Sequence, residues 1–238
     1  MVLTRGYGLL SEYEYQALIL SIKVSLYAVV WLIPIGVSLA WLLAKKQFVG
    51  KSIIDSLIHL PLVLPPVVIG YLLLVVMGRK GIVGEWLYES FGLSFAFNWK
   101  GAVLASIVVA LPLMVRAIRL SFENVDSKLE QAASTLGASP IKVFFTITLP
   151  LTLPGIITGT MLAFARSLGE FGATISFVSN IPGETQTIPL AMYTFIETPG
   201  SELEAMRLCV ISVVIALSSL LVSEWMSRQC SRRLGAKQ

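Results

Sequence analysis

Long stretches without a charged side chain dominate this 238-residue chain. Val24–Ala44 has 21 such residues, Ser56–Gly78 has 23, Gly101–Val115 has 15 and Leu208–Ser223 has 16. A fifth stretch, Thr152–Ile175, is apolar apart from Arg166 and Glu170. A helix needs about 20 mostly apolar residues to cross the hydrocarbon core of a bilayer. Arg116 and Arg119 can snorkel at the end of the third stretch and lengthen it. The pattern therefore predicts an all-α, polytopic membrane bundle with about five spans, near 17–44, 57–77, 100–121, 152–176 and 206–226. Only 13% of the residues are charged and 55% are hydrophobic. Soluble domains carry about 25% charged residues, so a soluble enzyme is excluded, and disorder is excluded by the abundance of large apolar side chains.

The first span is not read as a cleaved signal peptide. Its apolar core exceeds the usual length of about 7–15 residues, and Glu12 and Glu14 precede it. No internal repeat or low-complexity tract interrupts the chain, which reads as one membrane domain over 1–238 with its core at about 15–228. Cys209 and Cys230 have no metal-ligand spacing and read as unpaired.

Orientation follows from lysine and arginine in the loops. With the N-terminus outside, the inner segments hold Lys45, Lys46, Lys51, Arg116, Arg119, Lys128, Lys142, Arg228, Arg232, Arg233 and Lys237. The outer segments hold only Arg5, Arg79, Lys80, Lys100 and Arg207. Lys23 and Arg166 fall within spans, and snorkelling accounts for Lys23 near the outer end of the first. The bias predicts the N-terminus outside and the C-terminus inside. The net charge of +4 then describes a polarised molecule, acidic outside and basic inside, and gives no indication of a nucleic-acid partner.

The longest inner segment, 122–151, reads as two short helices. Asp126 is a good N-cap. Leu129, Ala132, Ala133 and Leu136 recur at helical spacing, and Gly137 suits the left-handed position that ends a helix. Ser139 caps a second helix with Pro140 at its first position. Ile141, Phe144, Phe145 and Thr148 share a face, and Leu149-Pro150 is expected to end the helix, because a residue before proline avoids the α region. Such an element either lies on lipid or docks on a protein. Lipid-lying helices usually carry more Lys and Arg than this one, which favours a protein partner.

Gln131-Ala132-Ala133, then Gly137, then Ile147-Thr148-Leu149-Pro150 resemble the coupling motif of ABC-importer permeases, with every spacing in agreement. Gln131 stands where the family pattern has Glu, and Glu130 lies one place earlier. The stretches 59–81 and 165–189 are similar to molybdate permease subunits, and sulfate permeases are similar around Gly169-Glu170-Phe171-Gly172. The resemblance covers about 15–228. It implies a homodimer in the lipid bilayer of the bacterial inner membrane, joined by two ABC ATPase subunits on the cytoplasmic side. It also implies a periplasmic molybdate-binding protein on the outer side, for which the outer loop 179–200 is a candidate contact. Asp126, Glu130, Gln131, Ala132, Ala133, Gly137 and Ala138 are its candidate coupling residues. The chain carries no GxxxxGK[ST] sequence, so ATP and Mg are expected on the partner ATPase, and no cofactor is expected on this chain. Import of sulfate, thiosulfate or tungstate is the alternative within the same class.

Charged groups in a bilayer are costly and usually face a cavity or the bundle interior. Arg166 and Glu170, four apart, are expected on one helical face, with Ser167 beside them. Two readings stand: Arg166 helps a dianion pass, or the pair locks the helix against a neighbour. Glu170 would cancel Arg166 for an approaching anion, which favours the lock. Pro61, Pro65 and Pro66 break the start of the second span; the freed carbonyls line a path, or the kinks only bend the helix. His59 precedes this cluster and, at a helix start, reads as an interfacial hydrogen-bonding residue. An intramembrane enzyme would need polar groups clustered at one depth, and these are scattered. Gly155, Gly159 and Ala163, and Ser212, Ala216 and Ser219, allow close helix contact, at a dimer interface, at a gate or within one chain.

Overall fold

In a computed structural model, residues 10–233 are described, their regular elements are all helices, and side chains are described to residue 230. Arg5 and Lys237 of the charge pattern lie outside the described residues, as do the side chains of Arg232 and Arg233.

Helix α1 (Glu12–Lys45) starts at a capping box: Ser11 Oγ accepts from the Glu14 N–H, and the Glu14 carboxylate accepts from the Ser11 N–H at 2.6 Å. Its 34 residues extend about 51 Å, well beyond a hydrocarbon core of about 30 Å. After α1 come α2 (Lys51–Val63), α3 (Pro66–Met77), α4 (Ile82–Phe91) and the long α5 (Trp99–Glu123), whose first turn is capped by Asn98. The segment 122–151 forms α6 (Ser127–Thr135) and α7 (Pro140–Val143), then a π-turn, Phe144–Thr148, that runs into α8 (Leu149–Leu168). Helices α9 (Gly172–Val178), α10 (Ile188–Glu197) and α11 (Glu202–Arg233) complete the chain.

The core is a three-helix seam in which α5 lies between α1 and α8. Ala28, Leu32, Ala40 and Leu43 of α1 are buried with Ala102, Ala105, Met114 and Ile118 of α5. Gly155 fits against Ser121, and Gly159 against Ile118 and Ala117, while Ala163 is buried in the same cluster. The small residues of α8 thus serve packing within the chain. Helix α11 lies against α8, and its first turns meet α10.

Among the described residues, four helical stretches are long and apolar enough to cross a membrane: Glu12–Lys45, Trp99–Glu123, Pro140–Leu168 and Glu202–Cys230. The second expected span, 57–77, is not one helix. α2 and α3 meet at a bend of 116°. Leu64 is extended (φ −72°, ψ 141°), as a residue before proline should be, and Pro65 and Pro66 together remove two backbone donors. The fourth span also departs from expectation. It begins at Pro140, because the chain passes Leu149-Pro150 without stopping. The π-turn makes room: the Leu149 N–H reaches the Phe144 carbonyl, and widening the turn relieves the clash a proline ring otherwise makes with the preceding turn. The span then ends at Leu168, short of residue 176. Gly169 to Phe171 break it, and α9 begins a new direction.

The two breaks meet. A Cβ on Gly172, at the start of α9, would lie 2.8 Å from Pro66 Cβ, at the start of α3. Farther along, Gly70 touches α9 so closely that a Cβ would overlap the Ala173 carbonyl oxygen and lie 2.9 Å from Ala173 Cα. Backbone atoms cannot give way as a flexible side chain can. Gly70→Val is therefore expected to pry α3 from α9, at the overpacking cost of about 1–3 kcal/mol or more. A lowered thermal unfolding midpoint of the purified protein in detergent is the expected result; an unchanged midpoint would show that α3 is free to shift.

Candidate functional site

The hairpin formed by α6 and the segment after it has the local geometry its sequence predicts. Asp126 Oδ1 accepts from the Lys128 N–H at 2.9 Å. Gly137 has φ 85°, and the helix ends in a Schellman arrangement: Ala138 N–H bonds the Ala133 carbonyl and Gly137 N–H bonds that of Ser134. Ser139 Oγ accepts from the Lys142 N–H, with Pro140 at the first helical position. These caps fix a rigid turn between α6 and the π-turn.

Helix α6 buries none of its residues. Asp126, Gln131, Ala132 and Gly137 are exposed, and Ala133 and Ala138 half-buried. Leu129 and Leu136 add exposed apolar side chains, the latter 89% exposed. The second half of the hairpin does not keep Ile141, Phe144, Phe145 and Thr148 on one face. Phe144 turns inward onto Trp41 and Phe122 and Thr148 is buried, while Ile141 and Phe145 point out. The π-turn shifts the register of everything after Val143 and accounts for this split.

Glu130 ties this ledge to the bundle. One carboxylate oxygen is 3.0 Å from Lys45 Nζ, at the end of α1. The other accepts from Thr148 Oγ1 at 2.6 Å, at the head of α8. Gln131 has no such role; its carbonyl accepts from Thr135 Oγ1. The departure from the family pattern at 131 therefore leaves Glu130 as the acidic anchor. Lys45 and Thr148 escape sequence reading, since neither sits at a spacing that links it to Glu130.

A second network joins α2 to α5 nearby. Arg119 reaches Asp55 at 3.0 Å and Glu123 at 2.8 Å. His59 lies in the middle of α2, where Nδ1 is 2.8 Å from the Asp55 carbonyl oxygen and 3.1 Å from its carboxylate. It is thus held within its own helix.

Arg166 and Glu170 do pair, at 2.7 Å, but not as two residues of one helix. Arg166 is in the last turn of α8, and Glu170 lies past its end. Glu170 is buried, 2% exposed, and its other oxygen accepts from the Ala173 N–H at 2.7 Å. One carboxylate therefore holds the end of α8 and the start of α9. Ser167 is buried, with its Oγ unpartnered among the described residues. Arg166 keeps about a quarter of its side chain exposed. Outside this region Glu14, fully buried, is gripped by two nitrogens of Arg207, each at 2.9 Å, a pairing across 193 residues that no local pattern signals.

Comparison with known proteins bears on this architecture. Residues 33–235 match the family described as binding-protein-dependent transport system inner membrane component. The chain is 65% identical over 227 residues to the molybdenum transport system permease protein ModB of Escherichia coli, covering 95% of this chain and 99% of that one. It is 64% identical to the same protein of Haemophilus influenzae, covering 93% and 97%. A probable sulfate transport system permease protein of Chlorokybus atmophyticus is 40% identical over 162 residues, covering 68% of this chain and 56% of that one. Among solved structures, a bacterial ABC transporter involved in the import of alginate shares the fold, with a TM-score of 0.75 at 17% identity over 92% of this chain and 80% of that one. The chain belongs to the family of binding-protein-dependent transport system inner membrane components.

Proposed function

We propose that this chain forms the path by which molybdate crosses the inner membrane into the cytoplasm, as the permease subunit of an ABC importer. Identity of 65% over nearly the full length of a molybdenum permease carries the substrate. The sulfate-type relative is less similar and matched over only part of its length, which leaves sulfate, thiosulfate or tungstate as the weaker reading.

The mechanism follows from the arrangement of rigid parts. The N-terminus lies outside and the α6 hairpin on the cytoplasmic side, in keeping with the lysine and arginine bias. Two copies of the chain stand side by side. A periplasmic molybdate-binding protein delivers the anion from outside, and two ATPase subunits receive the exposed ledge of α6. Asp126, Gln131, Ala132, Ala133, Gly137 and Ala138 make up that ledge, and Glu130 passes its displacement to α1 and α8. ATP and Mg stay on the ATPase subunits.

The path runs beside the paired breaks, where irregular backbone is tolerated in a membrane because it lines a cavity or is buried in protein. Arg166 and Glu170 act there as a lock, because Glu170 neutralises Arg166 and occupies the start of α9 at once. Selectivity rests with the binding protein, since a path must release what it carries.

ATP-driven uptake of labelled molybdate into proteoliposomes holding the complete transporter tests the proposal. Unlabelled molybdate is expected to compete strongly and sulfate weakly. Efficient competition by sulfate would overturn the substrate assignment.

A further inference from the structure

An apolar groove of about 410 Å³ opens between the middle of α1 and the first half of α5. Its size falls within the range of ligand pockets, about 300–1,000 Å³. Tyr27 and Trp31 form one wall, Trp99, Val103 and Ile107 the other. From Trp99 to Ile107 the wall descends about 12 Å along the helix axis, close to the depth of one leaflet of a hydrocarbon core of about 30 Å. Two lysines stand at its upper end. Lys100 lines the groove. Lys23 Nζ sits 3.7 Å from the centroid of the Trp99 ring, and Tyr27 packs edge-on against that ring. No carboxylate lines the groove, and neither lysine is in an ion pair among the described residues.

Snorkelling alone explains one lysine at a membrane surface. It does not explain two cations left without a carboxylate at the mouth of one aromatic groove. The charge and shape are complementary to an amphiphile with an anionic head and an acyl tail. Trp and Tyr at this height also match the belt that membrane proteins place at headgroup level.

We infer that this groove binds an anionic phospholipid, with the phosphate between Lys23 and Lys100 and one acyl chain along Tyr27, Trp31 and Ile107. The site is separate from the coupling hairpin and from the breaks at Pro65 and Gly169. It depends on the membrane placement of α1 and α5 and not on the identity of the transported anion. In the proposed orientation the lipid belongs to the outer leaflet.

The test uses the full-length chain purified in detergent, titrated with phosphatidylglycerol or with phosphatidylcholine of the same acyl chains, and read by native mass spectrometry. Each lysine near an anionic headgroup is worth about fivefold in affinity. Phosphatidylglycerol is therefore expected to be retained selectively, Lys100→Gln to lose about fivefold, and the Lys23→Gln/Lys100→Gln pair to bind both lipids alike. Lys100 is exposed, so its single variant remains informative where loss of the Lys23–Trp99 contact disturbs folding. Phosphatidylglycerol with brominated chains is expected to quench the wild-type tryptophan fluorescence, and less so in Trp31→Phe. Equal retention of the two lipids by the wild type, or selectivity that survives both substitutions, would overturn the inference. So would efficient disulfide cross-linking of two Trp31→Cys copies in native membranes, since a second copy would then cover the groove. Molybdate uptake is measured separately, and its loss or persistence leaves this outcome unaffected.

Discussion

Glu170→Ala is expected to deplete the protein from the membrane and to abolish uptake by what remains. The substitution removes two connections at once. Arg166 loses the partner at 2.7 Å, and the Ala173 N–H loses the acceptor at the start of α9. Breaking a buried pair from one side costs about 3–5 kcal/mol, and loss of a helix cap adds about 1 kcal/mol. Against a total stability of about 5–15 kcal/mol, that is a large fraction. The partial exposure of Arg166 softens the first figure, because some solvent reaches the guanidinium. Glu170→Gln keeps an acceptor for the Ala173 N–H but drops the charge, and is expected to fall between wild type and alanine.

The double variant Arg166→Ala/Glu170→Ala separates a lock from an anion contact. If the pair is a lock, removing both charges avoids a stranded cation, and the double variant should accumulate better than Glu170→Ala alone. If Arg166 serves the anion, Arg166→Ala alone should accumulate normally and transport poorly. Quantified membrane levels beside uptake rates distinguish the two, and normal levels with normal uptake for Arg166→Ala would reject both.

The parts of this molecule that sequence reveals are those whose causes are local. Asp126, Gly137, Ser139 and Pro140 each act on backbone groups within a few residues, so the hairpin is readable before any fold is known. The long apolar runs are readable for the same reason, since the bilayer acts on every residue of a span independently. What sequence leaves open is direction. Pro65 and Pro66 announce a break, but the 116° bend also depends on α3 docking against α9 through Gly70, about a hundred residues from its contacts in the chain. The second break, at Gly169, is not expected from sequence: the fourth span reads through it to residue 176, and four-residue spacing invites Arg166 and Glu170 onto one helix. Their pairing survives the break because Glu170 folds back over the end of α8. Leu149-Pro150 misleads in the opposite sense: the stop is real for an α-helix, and a π-turn evades it. Lys45 and Thr148, 85 and 18 residues from Glu130, have no signature at all.

That last contact carries the second large expectation. Glu130→Ala should leave ATP hydrolysis by the assembled transporter running while molybdate uptake per ATP falls about tenfold. Helix α6 has no buried residue of its own, so beyond its covalent ends and the hairpin contacts of α7 and the π-turn, its side-chain grip on the bundle is the Glu130 carboxylate. With alanine, Thr148 Oγ1 loses its acceptor in a buried setting, a loss of about 1–3 kcal/mol. Lys45, partly exposed, loses a pair worth about 1 kcal/mol or less. A drop of about 1.4 kcal/mol in the bias toward the docked hairpin is already tenfold in population. Helix α6 would still meet the ATPase, but would move without drawing α1 and α8 along. Glu130→Gln retains an acceptor for Thr148 and should lose less than alanine, while Lys45→Met and Thr148→Val should each reproduce part of the defect. Parallel assays of phosphate release and uptake in the same proteoliposomes give the ratio directly. A wild-type ratio for Glu130→Ala would mean that motion reaches the bundle through the backbone of the hairpin alone.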